Sequence, residues 1–254
     1  MNKISALILT YNSEKHISRC INSITFADEI LVLDSFSNDK TIEIAKELGA
    51  RVEQREFNGF SQQRSESLKL AVNDWVFVID ADECASKELA KEIANLENTN
   101  EITSYLVPRL TWFLDKPIRR CGWYPDYSPR LFRKSKAHYP DRLVHESVEI
   151  EGKSAKLACD IHHYSYQSID DFSRKVVLYA KAAAKQRFAE GKKFKISDIL
   201  IKPTVCFIKM YVLKKGFLDG IHGLMLSLLS SFSIMLRYAY LWEMSRNKKT
   251  EKLE

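Results

Sequence analysis

Apolar residues in the first part of the chain alternate between strand-like runs and helix-like spacing. Strands are predicted at residues 3–9, 29–33, 51–55 and 75–79, with a helical pattern following each one. The fourth strand is wholly apolar and rich in β-branched residues, which is typical of a strand buried on both faces of a parallel sheet. The repeated alternation predicts an α/β fold, with a mostly parallel sheet and helices on both faces.

Local signals predict where these helices begin and end. Ser13 is expected to cap the first helix, because a serine hydroxyl can accept a bond from an unpaired amide at a helix start. Gly49 is expected to end the second helix, since glycine adopts the left-handed conformation without strain. The third helix is predicted at residues 61–72 and leads directly into the fourth strand.

Polar clusters follow three of these strands. They are Thr10-Tyr11-Asn12, Asp34-Ser35 and Asp80-Ala81-Asp82. Because the carboxyl ends of parallel strands meet at one edge of a sheet, we expect these clusters to converge on a nucleotide pocket. Asp80 and Asp82 are two residues apart, so an extended backbone would point both carboxylates the same way, about 7 Å apart. Such oxygen ligands suit Mg²⁺ or Mn²⁺, although acidic residues can also simply mark the exit of a strand into solvent.

Other nucleotide motifs and disulfide patterns are missing from the sequence. It contains neither Gly-x-Gly-x-x-Gly nor Gly-x-x-x-x-Gly-Lys, so a dinucleotide fold and a P-loop are not supported. Its five cysteines include no Cys-x-x-Cys pair, which suits a reducing compartment. The first strand begins too early for a signal peptide, and we therefore expect a cytoplasmic protein.

Several motifs, in order, resemble those of family 2 glycosyltransferases with the GT-A fold. They are Leu-Thr-Tyr-Asn at 9–12, Val-Leu-Asp-Ser-Phe-Ser-Asn-Asp-Lys-Thr at 32–41, Ile-Asp-Ala-Asp-Glu at 79–83, Trp-Tyr-Pro-Asp at 123–126, Arg-Leu-Phe-Arg at 130–133 and Val-His-Glu at 144–146. The resemblance covers about residues 1–165, which we interpret as the catalytic domain. It is strongest to bacterial lipopolysaccharide and lipooligosaccharide core β-1,4-glucosyltransferases, which resemble this chain also at 202–203 and 215–220.

The resemblance implies a role for individual residues. A UDP-sugar would be bound by Thr10, Tyr11, Asn12, Glu14, Asp34, Arg64, Asp80 and Ala81. In this assignment Asp34 contacts uracil or ribose, Asp80 contacts the ribose or sugar, and Asp82 binds the metal that bridges the diphosphate. Many relatives have Ala-Arg-Asn on the third helix, whereas this chain has Gln63-Arg64-Ser65, which weakens the assignment of Arg64.

An inverting transfer also needs a carboxylate that takes the proton from the acceptor hydroxyl. The candidates are Asp126 and Glu146. Asp126 is favoured by its motif position and by neighbouring aromatic residues, which would raise its pKa by desolvation. Glu146 could instead form an ion pair with an arginine. His145 is predicted to complete the metal shell. His162 and His163 could also be metal ligands, but polar residues at a strand end are the favoured interpretation.

Residues 166–254 are predicted to form a helical, basic and amphipathic segment. Residues 192–254 carry twelve Lys and Arg against five Asp and Glu, and residues 220–236 contain no charged side chain. A segment lying in the membrane interface is favoured over a membrane-spanning helix or an ordinary helical appendage. Its many aliphatic residues make nucleic acid a poor fit.

The sequence therefore predicts a metal-dependent, inverting hexosyltransferase, peripheral at the cytoplasmic face of the bacterial inner membrane. Its donor would be UDP-glucose, and its acceptor a heptose of a lipid A–core saccharide. A polyprenyl-phosphate glycosyltransferase is the enzymatic alternative, and a catalytically inactive membrane scaffold is the alternative from another class. The oligomeric state is not predicted.

Overall fold

The computed structural model describes residues 3–97, 101–140 and 148–250, with side chains described as far as 246. Contacts within the chain divide it into two units. The first comprises residues 1–110 and 125–163, and the second comprises residues 111–124 and 164–254. The segment 111–124 thus belongs to the second unit, although the residues directly before and after it in the chain belong to the first.

The first half of the first unit alternates strands and helices as the sequence predicts. Its elements are β1 (Ile4–Thr10), α1 (Ile17–Ser23), β2 (Glu29–Asp34), α2 (Thr41–Glu47), β3 (Arg51–Gln54), α3 (Phe60–Leu70) and β4 (Trp75–Asp80). Strands β3, β2, β1 and β4 lie side by side in this order, and all three neighbouring pairs are parallel. The predicted parallel sheet is confirmed.

Later strands complete the sheet with mostly antiparallel pairs. They are β5 (Glu83–Ala85), β6 (Ile102–Phe113), β7 (Lys116–Pro117), β8 (Asp126–Arg133), β11 (Lys153–Lys156) and β12 (Ile161–Tyr166), while β9 (Ala137–His138) pairs with β10 (Glu149–Ile150). Helix α4 (Lys87–Ala94) follows β5. Strand β8 pairs antiparallel with both β4 and β6, and β12 pairs antiparallel with β5. Pairing between strands that are distant in the chain cannot be recognised from a periodic pattern of residues in the sequence.

Alternating residues of the central strands enter separate cores on the two faces of the sheet. Phe77 and Ile79 of β4 belong to one apolar cluster, which also contains the buried residues of α1 and α4. Val76 and Val78 belong to a second cluster with Leu68 of α3. Because successive side chains of a strand point to opposite faces, this division is direct support for helices on both sides of the sheet.

Two local predictions in this unit are wrong. The first helix begins at Ile17, and the amides of residues 16 and 17 bind the backbone carbonyl of Ser13, whose hydroxyl instead donates to the carbonyl of Tyr11. The Asp80–Asp82 segment is not extended, because β4 ends at Asp80 and the chain turns before β5 begins. The prediction for Gly49 is correct, since it follows α2 with a φ of 82°.

The second unit is built mainly from helices. They are α5 (Ile169–Ala189), α6 (Ile196–Phe207), a π-helical turn (Ile208–Leu213), a 3-10 turn (Gly216–Asp219) and α7 (Ile221–Thr250). Buried residues of these helices join those of the 111–124 segment in one core, including Phe113, Ile118, Phe172, Met210 and Leu226. On α5 the buried stripe is Phe172, Val176, Ala180 and Ala184, whereas Tyr179 is 61% exposed.

Polar bonds tie the 111–124 segment to the region before α7. Asp219 is buried, and its carboxylate accepts a hydrogen bond from the amide of Arg120, while its carbonyl accepts one from Lys116. Gly223 allows the 3-10 turn to approach α7, because a Cβ there would lie 1.9 Å from the carbonyl oxygen of Gly216. These contacts explain why the 111–124 segment packs with the helices of the second unit.

Candidate active site

The predicted polar clusters converge at one edge of the first unit. In the sheet register Thr10 lies beside Asp34 on one side, and Leu9 lies beside Asp80 on the other. The carboxyl ends of β2, β1 and β4 are therefore adjacent, as the parallel arrangement requires. Open α/β sheets bind ligands at this edge.

Hydrogen bonds join the loop after β1 to the loop after β2. The Asn12 amide donates to the Ser37 hydroxyl over 2.8 Å, and the Asn12 side-chain oxygen accepts from the Asn38 amide over 2.9 Å. Glu14 accepts from the Lys40 amide over 3.2 Å. Asn12 and Glu14, both predicted to contact the nucleotide, thus also hold the two loops together, and Asn12 adopts the left-handed φ of 48° that asparagine tolerates.

Asp34 is completely buried and organises the second of these loops. Its carboxylate accepts hydrogen bonds from the amide and hydroxyl of Ser37, and Gln54 approaches it at 3.4 Å. A contact from Asp34 to uracil or ribose would require this loop to rearrange. That predicted contact remains a prediction, and the observed role of the side chain is in loop order.

Three other predicted ligand residues differ in their access to solvent. Tyr11 is 60% exposed directly beyond β1, so its ring is available to a ligand. Thr10 and Ala81 are both buried, and the Thr10 hydroxyl has no hydrogen-bond partner among the described residues. A buried hydroxyl without a partner is uncommon and identifies a polar position at this edge that a ligand could satisfy.

Asp80 is held between two arginines. Its carboxylate accepts from Arg64 over 2.6 Å and lies 3.9 Å from Arg130. Burial acts to raise the pKa of Asp80, but the charges of Arg64 and Arg130 outweigh this effect and lower the pKa to about 2. Arg64 therefore lies at this edge of the sheet, where it neutralises Asp80, and its predicted contact with the nucleotide remains a prediction.

Glu83 is a buried carboxylate that the sequence analysis gave no role. It accepts a hydrogen bond from Arg130 over 2.7 Å, and its second oxygen accepts from the amide of Asp80 over 3.0 Å. Burial raises the pKa of Glu83, and Arg130 opposes that rise. Arg130 directly precedes the apolar residues Leu131 and Phe132 of β8, and a charge in such a strand needs a partner, which is the signal by which this ion pair could have been found.

Asp126 lies at the start of β8 and is bound by Arg109 of β6. Its carboxylate accepts two bonds from the guanidinium, at 3.0 and 2.6 Å, and its side chain is 47% exposed. The expectation that aromatic neighbours desolvate Asp126 is therefore wrong, because a cation and solvent surround it. The other candidate base, Glu146, lies outside the described residues.

Asp82 lies beside a histidine from a distant strand. His163 Nε2 is 3.3 Å from the Asp82 carboxylate, and the pairing of β12 with β5 places His163 opposite Glu83. Nδ1 of His163 is buried without a hydrogen-bond partner among the described residues. The predicted ligand His145 lies outside the described residues, whereas His163, for which the sequence favours a strand-end position over metal binding, lies beside Asp82.

This pair fits a divalent cation in its chemistry. A carboxylate oxygen and an imidazole nitrogen are donors that Mn²⁺ accepts together. Within the described ranges no three His, Cys, Asp or Glu side chains are grouped to hold a metal. A cation held by Asp82 and His163 would therefore need further ligands, which phosphate oxygens and water commonly provide.

Comparisons with known proteins identify the family of the chain. The family described as glycosyl transferase family 2 matches residues 5–147. The glycosyltransferase RP128 of Rickettsia prowazekii is 32% identical over 265 residues, covering 96% of this chain and 88% of that protein. The lipopolysaccharide core biosynthesis glycosyltransferase LpsC of Rhizobium meliloti is 25% identical, with 93% of each chain covered.

A solved structure supports the fold. The mannosyltransferase PcManGT of Pyrobaculum calidifontis, in complex with GDP-Man and Mn²⁺, superposes with a TM-score of 0.57 over 95% of this chain and 88% of that chain, at 12% identity. The architecture is thus that of a GT-A glycosyltransferase. The chain belongs to glycosyltransferase family 2.

The lowered pKa of Asp80 predicts a measurable dependence of stability on pH. The ionised carboxylate stabilises the folded state above the unfolded pKa of 3.8, and this contribution is lost as the pH falls towards 2. Urea unfolding midpoints between pH 5 and pH 2 should therefore fall more steeply for the native protein than for Asp80→Asn. The exposed Glu47→Gln variant is the control and should keep the native slope. Equal slopes for all three proteins would contradict the assignment.

Proposed function

We propose that this protein is an inverting, metal-dependent glycosyltransferase that uses UDP-glucose. It would transfer glucose in a β-1,4 linkage to a heptose of the lipopolysaccharide or lipooligosaccharide inner core. The observation that carries the proposal is the pairing of Asp82 with His163 beside the converging ends of β1, β2 and β4. The similarity to LpsC, whose name places it in lipopolysaccharide core biosynthesis, supports the choice of acceptor.

The residues of this edge would divide the work of donor binding. Exposed Tyr11 would contact the base, while the joined loops carrying Asn12 and Glu14 would shape the nucleoside site. Asp82 and His163 would hold Mn²⁺ or Mg²⁺, which supplies positive charge against the developing charge of the leaving diphosphate. Arg64 compensates Asp80 and so limits the repulsion between this carboxylate and an anionic donor.

Removal of the metal, or of either of its proposed ligands, should stop the reaction with UDP-glucose while the protein remains folded. With purified truncated acceptor, we expect UDP release from UDP-glucose to stop in EDTA and to recover with Mn²⁺. Asp82→Asn and His163→Gln should each lower the rate by about 10²-fold or more, because one charge or ligand is lost at the leaving group.

The control for these variants is His138→Gln, an exposed histidine on β9 that pairs with Glu149. It should keep the native rate. A rate insensitive to EDTA would overturn the metal assignment, and product analysis with polyprenyl phosphate as acceptor would reveal the alternative activity. Calorimetry that gives no heat with UDP and Mn²⁺ would favour an inactive scaffold.

Asp126 is proposed as the base that accepts the proton of the acceptor hydroxyl. Arg109 orients its carboxylate through two hydrogen bonds, and its 47% exposure leaves the carboxylate accessible to a hydroxyl. Glu146 is the alternative from the same sequence motifs. Neither assignment depends on the metal site.

Substitution of the base should lower turnover and spare donor binding. Asp126→Asn is expected to lower kcat by about 10²- to 10⁴-fold, the usual contribution of general base catalysis, with UDP affinity unchanged by calorimetry. Glu146→Gln is measured in parallel, and Glu151→Gln on the exposed turn after β10 is the control. Full activity of Asp126→Asn together with an inactive Glu146→Gln would transfer the role to Glu146.

The second unit carries the features proposed to bind the inner membrane. The region from the π-helical turn to the 3-10 turn exposes both apolar and basic side chains, namely Ile208, Val212, Leu213, Phe217 and Leu218 with Lys209, Lys214 and Lys215. Helix α7 is also long and apolar enough to cross a membrane over Ile221–Arg246. We favour peripheral binding, since lysines beside exposed apolar residues suit an anionic lipid surface.

Vesicle binding should depend on these lysines. Lys209→Gln combined with Lys214→Gln should weaken binding to vesicles containing anionic phospholipid by roughly 30-fold, at about 1 kcal/mol for each charge. The matched control is Lys46→Gln with Lys69→Gln in the first unit. Binding that is equal for both double variants, or that resists high salt and alkaline extraction, would contradict a peripheral electrostatic association.

A further inference from the structure

The second unit contains a cavity whose lining is unlike that of the proposed donor site. Its volume is about 320 Å³, within the usual range for small-molecule sites. Helices α5 and α7 form its main walls, and residues near the junction of α6 and the π-helical turn close it. All residues that line it are described, and all belong to the second unit.

Most of the lining is apolar or aromatic. Rings are supplied by Trp123, Tyr166, Phe172 and Tyr179. Val176, Cys206, Met210 and Ile234 add apolar surface, and two hydroxyls come from Ser230 and Ser233. A ligand of this cavity would therefore bury an apolar or ring-shaped body, which aromatic walls favour by contact area.

The charged residues of the lining all have the same sign. They are Lys175 and Arg237, and none of the lining residues is a carboxylate. Lys175 is fixed on the wall, because it donates to the carbonyl of Ser165 over 2.9 Å and lies 4.9 Å from the centre of the Tyr166 ring. The two positive charges, with no carboxylate in the lining, favour an anionic ligand over a cationic one.

Arg237 is the second cation of the lining, and its side chain is incompletely paired. Its Nε is buried and has no hydrogen-bond partner among the described residues. An arginine stays charged at all relevant pH values, so a buried donor of this group cannot be relieved by losing a proton. Leaving such a donor unpaired is costly. Because Arg237 lines the cavity, an oxyanion bound there would pair with its guanidinium charge.

We propose that this cavity binds an anionic amphiphile. Its phosphate or carboxylate would accept hydrogen bonds from Arg237 and Lys175, and its apolar or ring-shaped part would pack against Trp123, Phe172 and Ile234. A phosphate-bearing lipid and a free phosphorylated sugar share this chemistry. The site lies wholly within the second unit, and the proposal does not depend on the identity of the sugar donor.

Binding of octyl phosphate to the full-length protein tests the proposal. Calorimetry below the micellar concentration should show saturable binding of octyl phosphate and at least 10-fold weaker binding of neutral octyl glucoside. Arg237→Gln, which keeps the approximate shape but removes the charge, should weaken octyl phosphate binding by about 10-fold or more. Arg246→Gln makes the same change at an exposed position of α7 and should bind like the native protein.

A second variant separates the loss of charge in Arg237→Gln from any effect of that substitution on folding. Ser233→Phe retains both cations and fills part of the cavity, so it should also abolish octyl phosphate binding while the far-ultraviolet circular dichroism stays native. Equal binding of octyl phosphate and octyl glucoside would overturn the proposal. So would native affinity in both Arg237→Gln and Ser233→Phe.

Competition with glycerol 3-phosphate distinguishes the two sources of the anion. Displacement of octyl phosphate at millimolar concentration supports a free phosphorylated compound, and failure to displace it supports a lipid. UDP binding to the native protein is measured in the same preparation. Loss of UDP binding with retained octyl phosphate binding would contradict the proposed donor use alone, and the reverse result would contradict the cavity alone.

Discussion

The first unit depends on a buried ion pair between Glu83 and Arg130. Glu83 has no exposed surface, and it binds both the guanidinium of Arg130 and the backbone at the end of β4. Removing one partner of such a pair leaves an uncompensated charge and usually costs about 3–5 kcal/mol. The pair thereby joins β5 and β8 to the end of β4, and Asp80 lies at the end of β4 while Asp126 lies at the start of β8.

The ion pair is the centre of a longer row of alternating charges. Arg64 binds Asp80, Arg130 lies between Asp80 and Glu83, and Arg109 lies 3.9 Å from Glu83 while binding Asp126. Each carboxylate thus has a cation on at least one side. This alternation lets a family 2 glycosyltransferase keep several acidic groups close together without a large repulsive energy, because each charge is screened by its neighbours.

The sequence predicts the parallel half of the sheet well, because each strand is local and has its own apolar run. It also predicts which polar clusters converge, since that follows from parallel order alone. It could not predict that His163 meets Asp82 or that Arg109 meets Asp126, because both pairs depend on antiparallel strands that are distant in the chain. The turn after Asp80 was missed for a related reason: β5 begins at Glu83, and a buried ion pair rather than a turn motif fixes that position.

The hydrogen bonds between the loops after β1 and β2 have a consequence for ligand affinity. Ser37, Asn38 and Lys40 are tied to Asn12 and Glu14 by hydrogen bonds within the chain itself. The conformational entropy of these loops is therefore lost when the protein folds and not when a nucleotide arrives. Because these two loops are preorganised, a larger share of the energy of their contacts with a ligand appears as binding affinity. They also favour ligands that match their existing shape over ligands that would require the loops to open.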